Sequence, residues 1–194
     1  MRIIAGNLRG RWLNTRGTNP GVKPISGRIK QSLFDIIKEL VPDCSFLDLF
    51  AGTGAVGVEA LSRGAKTVFF VDRDRDCVDM ITKNLEKAGL TARAKAHPGN
   101  ILGDLSWIVF RSGLSQFDII FMGPPYKDLQ KKPLAYTNPT VLRILEAKLL
   151  APAGWLVCQH HVREEVGTPP GLVMVRRAQY GDSFLTFFRH APAA

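Results

Sequence analysis

The sequence predicts an α/β protein with a mostly parallel, doubly wound sheet that an antiparallel hairpin closes. Apolar runs of strand length alternate with helical patterns as far as Gln159, as they do in successive βαβ units. Two further strand patterns then flank the turn-forming segment 180–183 without an intervening helix. Residues 1–24 predict a small N-terminal β-hairpin and loop, and we expect residues 25–194 to form the main domain.

The individual elements follow from apolar periodicity and from residues that start or stop helices. Ser26 is a candidate N-cap for a helix whose apolar face extends to Leu40, and Asn138 and Pro139 open a helix that runs to about residue 150. The other predicted helices are residues 55–62, residues 75–88 and a short one near Ile101. The predicted strands are residues 47–50, 67–71, 92–96, 117–122, 155–159, 172–179 and 184–189.

Composition indicates an ordinary globular domain. The chain has 194 residues, of which 45% are hydrophobic and 22% are charged. No apolar run approaches the ~20 residues of a membrane helix, and the N-terminus lacks a leader pattern, so we expect a cytoplasmic protein without membrane association. The three cysteines are scattered without a CxxC pair, and the four histidines lack metal-ligand spacing. We therefore expect neither a disulfide framework nor a metal site.

Positive charge is concentrated at the N-terminus. Residues 1–34 contain seven Lys or Arg residues and no Asp or Glu, whereas the rest of the chain is almost balanced. Glycines, apolar residues and Trp12 separate the bases, which favours a folded hairpin over a disordered tail. A basic arm on a near-neutral domain is typical of proteins that bind a polyanion such as RNA. The alternative is a solvated segment that only improves solubility.

A glycine-rich loop predicts a site for a nucleoside cofactor. Residues 52–57 satisfy the pattern G-x-G-x-x-G between an apolar strand and a helix. Gly52 and Gly54 allow the backbone to turn tightly and to approach a ligand, and the helix start offers free N–H groups. Asp72 ends the next strand, where a carboxylate can accept two hydrogen bonds from a ribose diol.

Asp48 favours S-adenosylmethionine (SAM) over a dinucleotide as that cofactor. A carboxylate just before the glycines would repel the phosphates of NAD, whereas the methionine end of SAM carries an ammonium group. Asp48 can also accept hydrogen bonds from the backbone of the loop, and the two roles are compatible. Asn100, after the third strand, is a candidate for contacting adenine, with Asp104 as the competing residue.

A second marked loop follows the apolar strand 117–122 and predicts a site for a planar base. Pro124 and Pro125 fix the backbone and remove two N–H donors, which leaves the carbonyls of Gly123 and Pro124 to accept hydrogen bonds from an exocyclic amine. Tyr126 offers a face on which a flipped-out base can stack. The alternative is a rigid turn with a tyrosine that belongs to the core.

The order of these motifs resembles the RsmD family of bacterial 16S ribosomal RNA guanine-N2 methyltransferases. The segments that carry the resemblance are residues 23–24 (KP), 28–34 (RIKQSLF), 47–54 (LDLFAGTG) and 57–65 (GVEALSRGA). The Pro-Pro-Tyr turn and the last hairpin at Tyr180, Gly181 and Asp182 extend it over nearly the whole chain.

The resemblance implies a class I SAM-dependent methyltransferase fold, a Rossmann-like doubly wound sheet. It implies SAM as the cofactor and, as the substrate, N2 of a guanine in 16S rRNA, in free RNA or in a small ribosomal subunit assembly intermediate. We expect a monomer. The catalytic turn would be Gly123, Pro124, Pro125 and Tyr126, and the RNA contacts would come from Arg9, Arg11, Arg16 and Arg28.

Two positions depart from the family pattern. The turn usually begins with Asp, and here it begins with Gly123; the helix entry usually has Asp before its Arg, and here Gly27 precedes Arg28. In related enzymes the Asp of the turn accepts a hydrogen bond from the target amine and so orients its lone pair. Losing one such acceptor predicts a chemical step slower by ~10²–10³-fold, while the backbone carbonyls and the pocket would remain.

Three other functions fit parts of the sequence. The absence of the two acids is consistent with a non-catalytic or weakly active relative that binds RNA. DNA adenine or cytosine amino-methyltransferases share the Pro-Pro-Tyr turn, but this chain has no room for a separate target-recognition domain. An NAD-dependent oxidoreductase would share the glycine loop, but no segment resembles a hydride-transfer site.

We predict that Arg9, Arg11 and Arg16 contact RNA phosphates. Replacing all three with alanine should weaken RNA binding and flatten its dependence on salt, because fewer counterions are released. Affinity for SAM should change little. Titrations of RNA at several salt concentrations measure this slope, and an unchanged slope would mean that the arm only improves solubility.

Overall fold

The computed structural model describes residues 2–15, 25–128 and 130–192. Within these residues the chain forms five α-helices and one sheet of seven strands. The helices are α1 (Gly27–Ile36), α2 (Ala55–Ser62), α3 (Arg75–Ala88), α4 (Trp107–Ser112) and α5 (Thr137–Glu146). The strands are β1 (Ser45–Leu49), β2 (Thr67–Asp72), β3 (Ala94–Pro98), β4 (Phe117–Met122), β5 (Leu150–His161), β6 (Leu172–Tyr180) and β7 (Ser183–His190).

The strands lie in the order β3-β2-β1-β4-β5-β7-β6. Strands β1 to β5 pair in parallel, and β7 pairs antiparallel with both β5 and β6. The winding of the chain reverses between β1 and β4, which are neighbours in the sheet. Ligands of open α/β sheets bind at the carboxyl ends of the strands that flank such a switch point.

Each face of the sheet has its own apolar core. Helices α1, α2 and α3 cover one face, where Phe34, Phe70 and Phe121 are buried together. Helices α4 and α5 cover the other face, where Ile108 and Ile120 are buried. The central strands are therefore buried on both sides, which explains why they read as continuous apolar runs rather than as alternating patterns.

Most predicted elements are confirmed, and α2, α3 and β4 match the prediction residue for residue. Two helix ends were predicted wrongly. Helix α1 ends at Ile36 instead of continuing to Leu40, and α5 ends at Glu146 because Lys148 adopts a φ of 51° that no helix accommodates. Residues 150–154, predicted as helix end and loop, instead begin β5.

The predicted short helix near Ile101 is also wrong, and the helix of this region begins at Trp107. The side chain of Asn100 accepts a hydrogen bond from the backbone N–H of Leu102, at 3.1 Å. Asp104 does the same for the N–H of Ser106, at 2.9 Å. Such local bonds compete with helix formation and favour turns.

The N-terminal hairpin is present as an antiparallel bridge between Arg2 and Trp12, and it packs on α2. The N–H of Asn7 donates to the carbonyl of Ser62, at 2.8 Å. Gly6 has a φ of 80°, and a Cβ at this position would lie 1.8 Å from the backbone oxygen of Ser62. Only glycine permits this close approach. The division into residues 1–24 and 25–194 stays a prediction.

A buried carboxylate, that of Glu59 in α2, holds the hairpin in place. It accepts hydrogen bonds from the N–H groups of Ile4 and Ala5, each at 2.9 Å. It also pairs with the ammonium of Lys30 at 2.8 Å and with the guanidinium of Arg63 at 2.9 Å. Lys30 is fully buried, so it belongs to the core and not to the basic surface that the charge count predicted.

The pH dependence of this cluster follows from the pKa of Glu59. Burial opposes ionisation, but hydrogen bonds from Lys30 and Ile4 outweigh it and hold the pKa of Glu59 below its ordinary value. Burial also lowers the pKa of Lys30. We take the pair to be ionised because the carboxylate accepts bonds from four donors and Arg63 adds a second cation. A depressed folded-state pKa stabilises the fold above the unfolded-state value, and this stabilisation is lost as the pH falls through the folded-state value.

Glu59→Gln should lower the free energy of unfolding at pH 7 by ~3 kcal/mol, because Lys30 is left buried without its counter-charge. The difference from the wild type should shrink as the pH falls below ~4, where the wild-type carboxyl also becomes protonated. Urea unfolding at several pH values measures both effects. Glu86→Gln, on the exposed side of α3, is the matched control and should cost less than ~0.5 kcal/mol. Equal losses in the two variants would contradict the role of Glu59.

No helix within the described ranges combines the length and the apolar composition that crossing a membrane requires. The same part of the chain contains no cluster of three or more His, Cys, Asp or Glu side chains that could hold a metal ion.

Candidate active site

The two loops predicted from the sequence lie side by side at the switch point. Strands β1 and β4 pair in parallel register, with Leu49 opposite Met122. The glycine loop begins after Leu49, and the Pro-Pro-Tyr turn begins after Met122. The N–H of Gly123 still approaches the carbonyl of Leu49, at 3.4 Å. A ligand held by one loop is therefore presented to a ligand held by the other.

The glycine loop needs glycine at three places for different reasons. Gly52 and Gly54 adopt φ values of 53° and 73°, in the left-handed region that side chains disfavour. Gly57 lies where α2 crosses β2, and a Cβ there would come within 2.2 Å of the ring of Phe70. The first two glycines shape the loop, and the third allows the helix to pack closely on the sheet.

Asp72 closes the loop from the end of β2. One carboxylate oxygen accepts a hydrogen bond from the N–H of Gly52 at 2.7 Å, and the other accepts from the N–H of Asp74 at 3.0 Å. A carboxylate oxygen can accept a second bond. Asp72 therefore positions the loop and can also bind a ribose diol, which remains the predicted role.

Asp48 lies beneath the loop and is almost completely buried. Its Oδ2 accepts a hydrogen bond from the N–H of Gly57, at 2.8 Å. Burial raises the pKa of Asp48 to about 8, with the bond from Gly57 opposing the rise and the charge of Asp72 adding to it. One of its two predicted roles, bonding the backbone of the loop, is thus observed. The other role, binding the ammonium group of SAM, stays a prediction. An ammonium group beside Asp48 would favour the ionised form of its carboxyl.

Asn100 is exposed, and its side-chain oxygen is already bonded to the N–H of Leu102. Its competitor Asp104 is exposed too and binds both the N–H and the hydroxyl of Ser106. Hydrogen bonds from Ser106 lower the pKa of Asp104. The predicted contact of Asn100 with adenine remains untested.

The Pro-Pro-Tyr turn ends in a hydrogen-bonded tyrosine. The hydroxyl of Tyr126 donates to Ser183 Oγ and accepts from Gln159 Nε2, both at 2.9 Å. The ring meets that of His161 edge to face, with centroids 5.4 Å apart. Tyr126 is thus fixed at one end by its hydroxyl, as a stacking platform requires.

Beside Tyr126 lies a cavity of about 310 Å³, a volume in the range of small-molecule sites. Its walls come from the start of α1, the turn, β5 and the β6–β7 hairpin. They include Arg28, Tyr126, Gln159, Asp182 and Ser183. Of these, the sequence analysis singled out Arg28 and Tyr126 as site residues. The other three lack a local motif, although the family resemblance extended to Asp182.

The predicted RNA-binding residues divide into two groups. Arg9 and Arg11 are exposed on the N-terminal hairpin, beside Trp12, whose side chain is 69% exposed. Arg28 is exposed at the rim of the cavity. Arg16 lies outside the described residues. Of the three described arginines, only Arg28 borders the cavity.

The sheet order, the glycine loop that opens α2 and the acid at the end of β2 define the class I SAM-dependent methyltransferase fold. Two acidic side chains, Asp48 and Asp72, contact the glycine loop at the switch point, and their binding to the ammonium and the ribose of SAM stays a prediction. The predicted fold class and the predicted cofactor are confirmed, since proteins of similar structure are methyltransferases.

Comparison with known proteins identifies the family. A family model described as "Conserved hypothetical protein 95" matches residues 1–189. "Putative rRNA methyltransferase YlbH" of Bacillus subtilis is 34% identical over 93% of this chain and 94% of that protein. "Ribosomal RNA small subunit methyltransferase D" of Haemophilus influenzae is 34% identical over 65% of this chain and 64% of its own length.

Among solved structures, "Putative methyltransferase yhhF" from Escherichia coli is similar with a TM-score of 0.77 and 26% identity, over 98% of this chain and 97% of that one. The chain belongs to the Conserved hypothetical protein 95 family, which is the RsmD family that its motifs predicted.

Asp72→Ala should weaken binding of both SAM and S-adenosylhomocysteine by about tenfold or more, the usual effect of losing hydrogen bonds to a charged group. Calorimetry measures both affinities. Asp79→Ala, which removes an exposed acid from the following helix, α3, is the control and should bind normally. Tighter binding of NAD than of SAM to the wild type would contradict the cofactor assignment.

Proposed function

We propose that this protein transfers the methyl group of SAM to the exocyclic N2 of a guanine in 16S rRNA. The observation that carries the proposal is the adjacency of the two loops at the switch point, with a base-sized cavity beside Tyr126. The names of the relatives in Bacillus subtilis and Haemophilus influenzae support the rRNA part of it. The guanine and its N2 are inferred from the family.

The chemistry is a direct displacement. SAM supplies a methyl group on a positively charged sulfur, which makes that carbon an electrophile. The N–C bond forms as the S–C bond breaks, and the amine then releases one proton to water. No covalent bond to the protein and no general base on the protein are required.

The protein contributes positioning and hydrogen bonding. The lone pair of a guanine amine is delocalised into the ring, so the amine is a weak nucleophile until its N–H groups are held out of that conjugation. The carbonyls of Gly123 and Pro124 are suited to accept these N–H groups, because Pro124 and Pro125 keep the turn rigid. Tyr126 would stack on the base.

The RNA would lie along the exposed arginines. Arg9 and Arg11 are suited to phosphates, and Trp12 offers an exposed ring for an unpaired base. Arg28, at the mouth of the cavity, would contact the nucleotide that enters it. We propose that the substrate is an assembly intermediate of the small subunit, that the protein acts as a monomer, and that it acts in the cytoplasm.

Gly123 favours a second candidate, a relative that binds RNA without methylating it. Space does not explain the missing side chain. A Cβ at Gly123 would lie 3.4 Å from the ring of Phe121 and 3.8 Å from Gln159 Oε1, both ordinary contacts, and its φ is not in the left-handed region. The backbone at this position therefore accepts a Cβ without a clash.

The proposal is tested by incubating the protein with labelled SAM and four substrates: small subunits that lack the modification, assembly intermediates, naked 16S rRNA and DNA. We expect label in rRNA, as N2-methylguanine on nuclease digestion, and none in DNA. Tyr126→Ala should slow the transfer while leaving SAM affinity unchanged, because only the base loses its support. Label in DNA would indicate a DNA methyltransferase, and RNA binding without label would favour the non-catalytic relative.

A further inference from the structure

Four polar groups form a hydrogen-bonded chain along the wall of the base cavity. Gln159 Nε2 donates to the hydroxyl of Tyr126 at 2.9 Å, and that hydroxyl donates to Ser183 Oγ at 2.9 Å. Ser183 Oγ in turn donates to Asp182 Oδ1 at 3.3 Å. This series of hydrogen bonds links β5, the Pro-Pro-Tyr turn and the β6–β7 hairpin.

The bonds in this series all run in one direction. Ser183 donates to Asp182 and accepts from Tyr126, and Tyr126 accepts from Gln159. A hydroxyl can donate one proton and accept a bond at the same time. The amide nitrogen of Gln159 faces Tyr126, and its oxygen therefore lies on the other side.

That oxygen lies beside Gly123. Met122, the last residue of β4, is paired in register with Cys158 of β5, and Gly123 and Gln159 are the residues that follow this pair. A Cβ at Gly123 would be 3.8 Å from Gln159 Oε1. The oxygen therefore borders the space that a side chain at position 123 would fill. Gln159 is only 9% exposed, so little water competes for this acceptor.

We propose that Gln159 Oε1 accepts a hydrogen bond from the target amine and replaces the side chain that Gly123 lacks. This inference rests on the proposed function. The amide oxygen orients the amine so that its lone pair faces the methyl carbon. An amide is not basic enough to take the proton, which leaves to water after transfer. Because the acceptor is neutral, it stabilises the positive charge that develops on nitrogen less than a carboxylate does.

A double-mutant cycle in single-turnover kinetics tests this role. Gln159→Leu keeps the volume and removes the acceptor, and it should slow transfer to small-subunit RNA by ~10²-fold. Gly123→Asp alone should raise the rate by less than ~10-fold, because an acceptor is already present. In the Gly123→Asp background, Gln159→Leu should cost less than ~5-fold, since the new carboxylate takes over.

Two further variants separate this role from a structural one. Gln159→Glu keeps an acceptor and should retain most of the rate. Tyr126→Phe keeps the stacking ring but removes the bond that holds the amide, so it should slow transfer less than Gln159→Leu does. SAM affinity and the KM for RNA should be unchanged in all variants, and thermal unfolding verifies that each is folded.

The inference is overturned if Gln159→Leu transfers at the wild-type rate, or if its loss is equal in both backgrounds. An inactive wild type with an active Gly123→Asp variant also overturns it, because Gln159 would then not supply the acceptor, and the proposed function would hold only for the variant. If every variant is folded and binds SAM but none methylates RNA, the proposed function itself fails.

Discussion

The parallel pairing of β1 with β4 is the constraint on which the rest of the site depends. These two strands are distant in sequence, and their pairing places the glycine loop and the Pro-Pro-Tyr turn at one edge of the sheet. Their ladder is in register from Phe46 and Ile119 to Leu49 and Met122. This register therefore fixes the separation of the two loops.

Two buried carboxylates on this framework have opposite charge preferences, and the difference follows from their partners. Asp48 is bonded to one N–H and has no cation beside it, so burial raises its pKa. Glu59 has two cations and two N–H groups, and its pKa is lowered. The carboxylate of Glu59 binds only groups of the protein itself and so stabilises the fold. A cation bound beside Asp48 would favour its ionised form, which is the role that the sequence predicts for it towards SAM.

The sequence was sufficient for the elements whose signals are local. Strand β4 is one apolar run, and α3 is bounded by Asp74, whose side chain caps its start, and by Gly89, whose left-handed conformation ends it. Both elements match the prediction to the residue. The two loops were found for the same reason, since each motif is continuous in sequence.

The features that sequence missed depend on partners far along the chain. Lys30 was counted with the basic surface because its partner Glu59 lies on another helix. The sequence around Gln159 contains no motif that indicates a site residue, and its bond to Tyr126 spans 33 residues. The absence of a helix near Ile101 has a local cause. The side chains of Asn100 and Asp104 each accept a hydrogen bond from the N–H group two residues later, which favours a turn over a helix.

Helix α2 connects the glycine loop to the N-terminal hairpin. Its first turn is bonded to Asp48 through Gly57, and two residues later Glu59 holds the hairpin that carries Arg9 and Arg11. All eight residues of the helix are buried, so it has no solvated side on which to slide or fray. The hairpin and the cofactor loop should therefore open together, as one cooperative unit in amide hydrogen exchange. A ligand bound in the loop would then slow the opening of the hairpin as well.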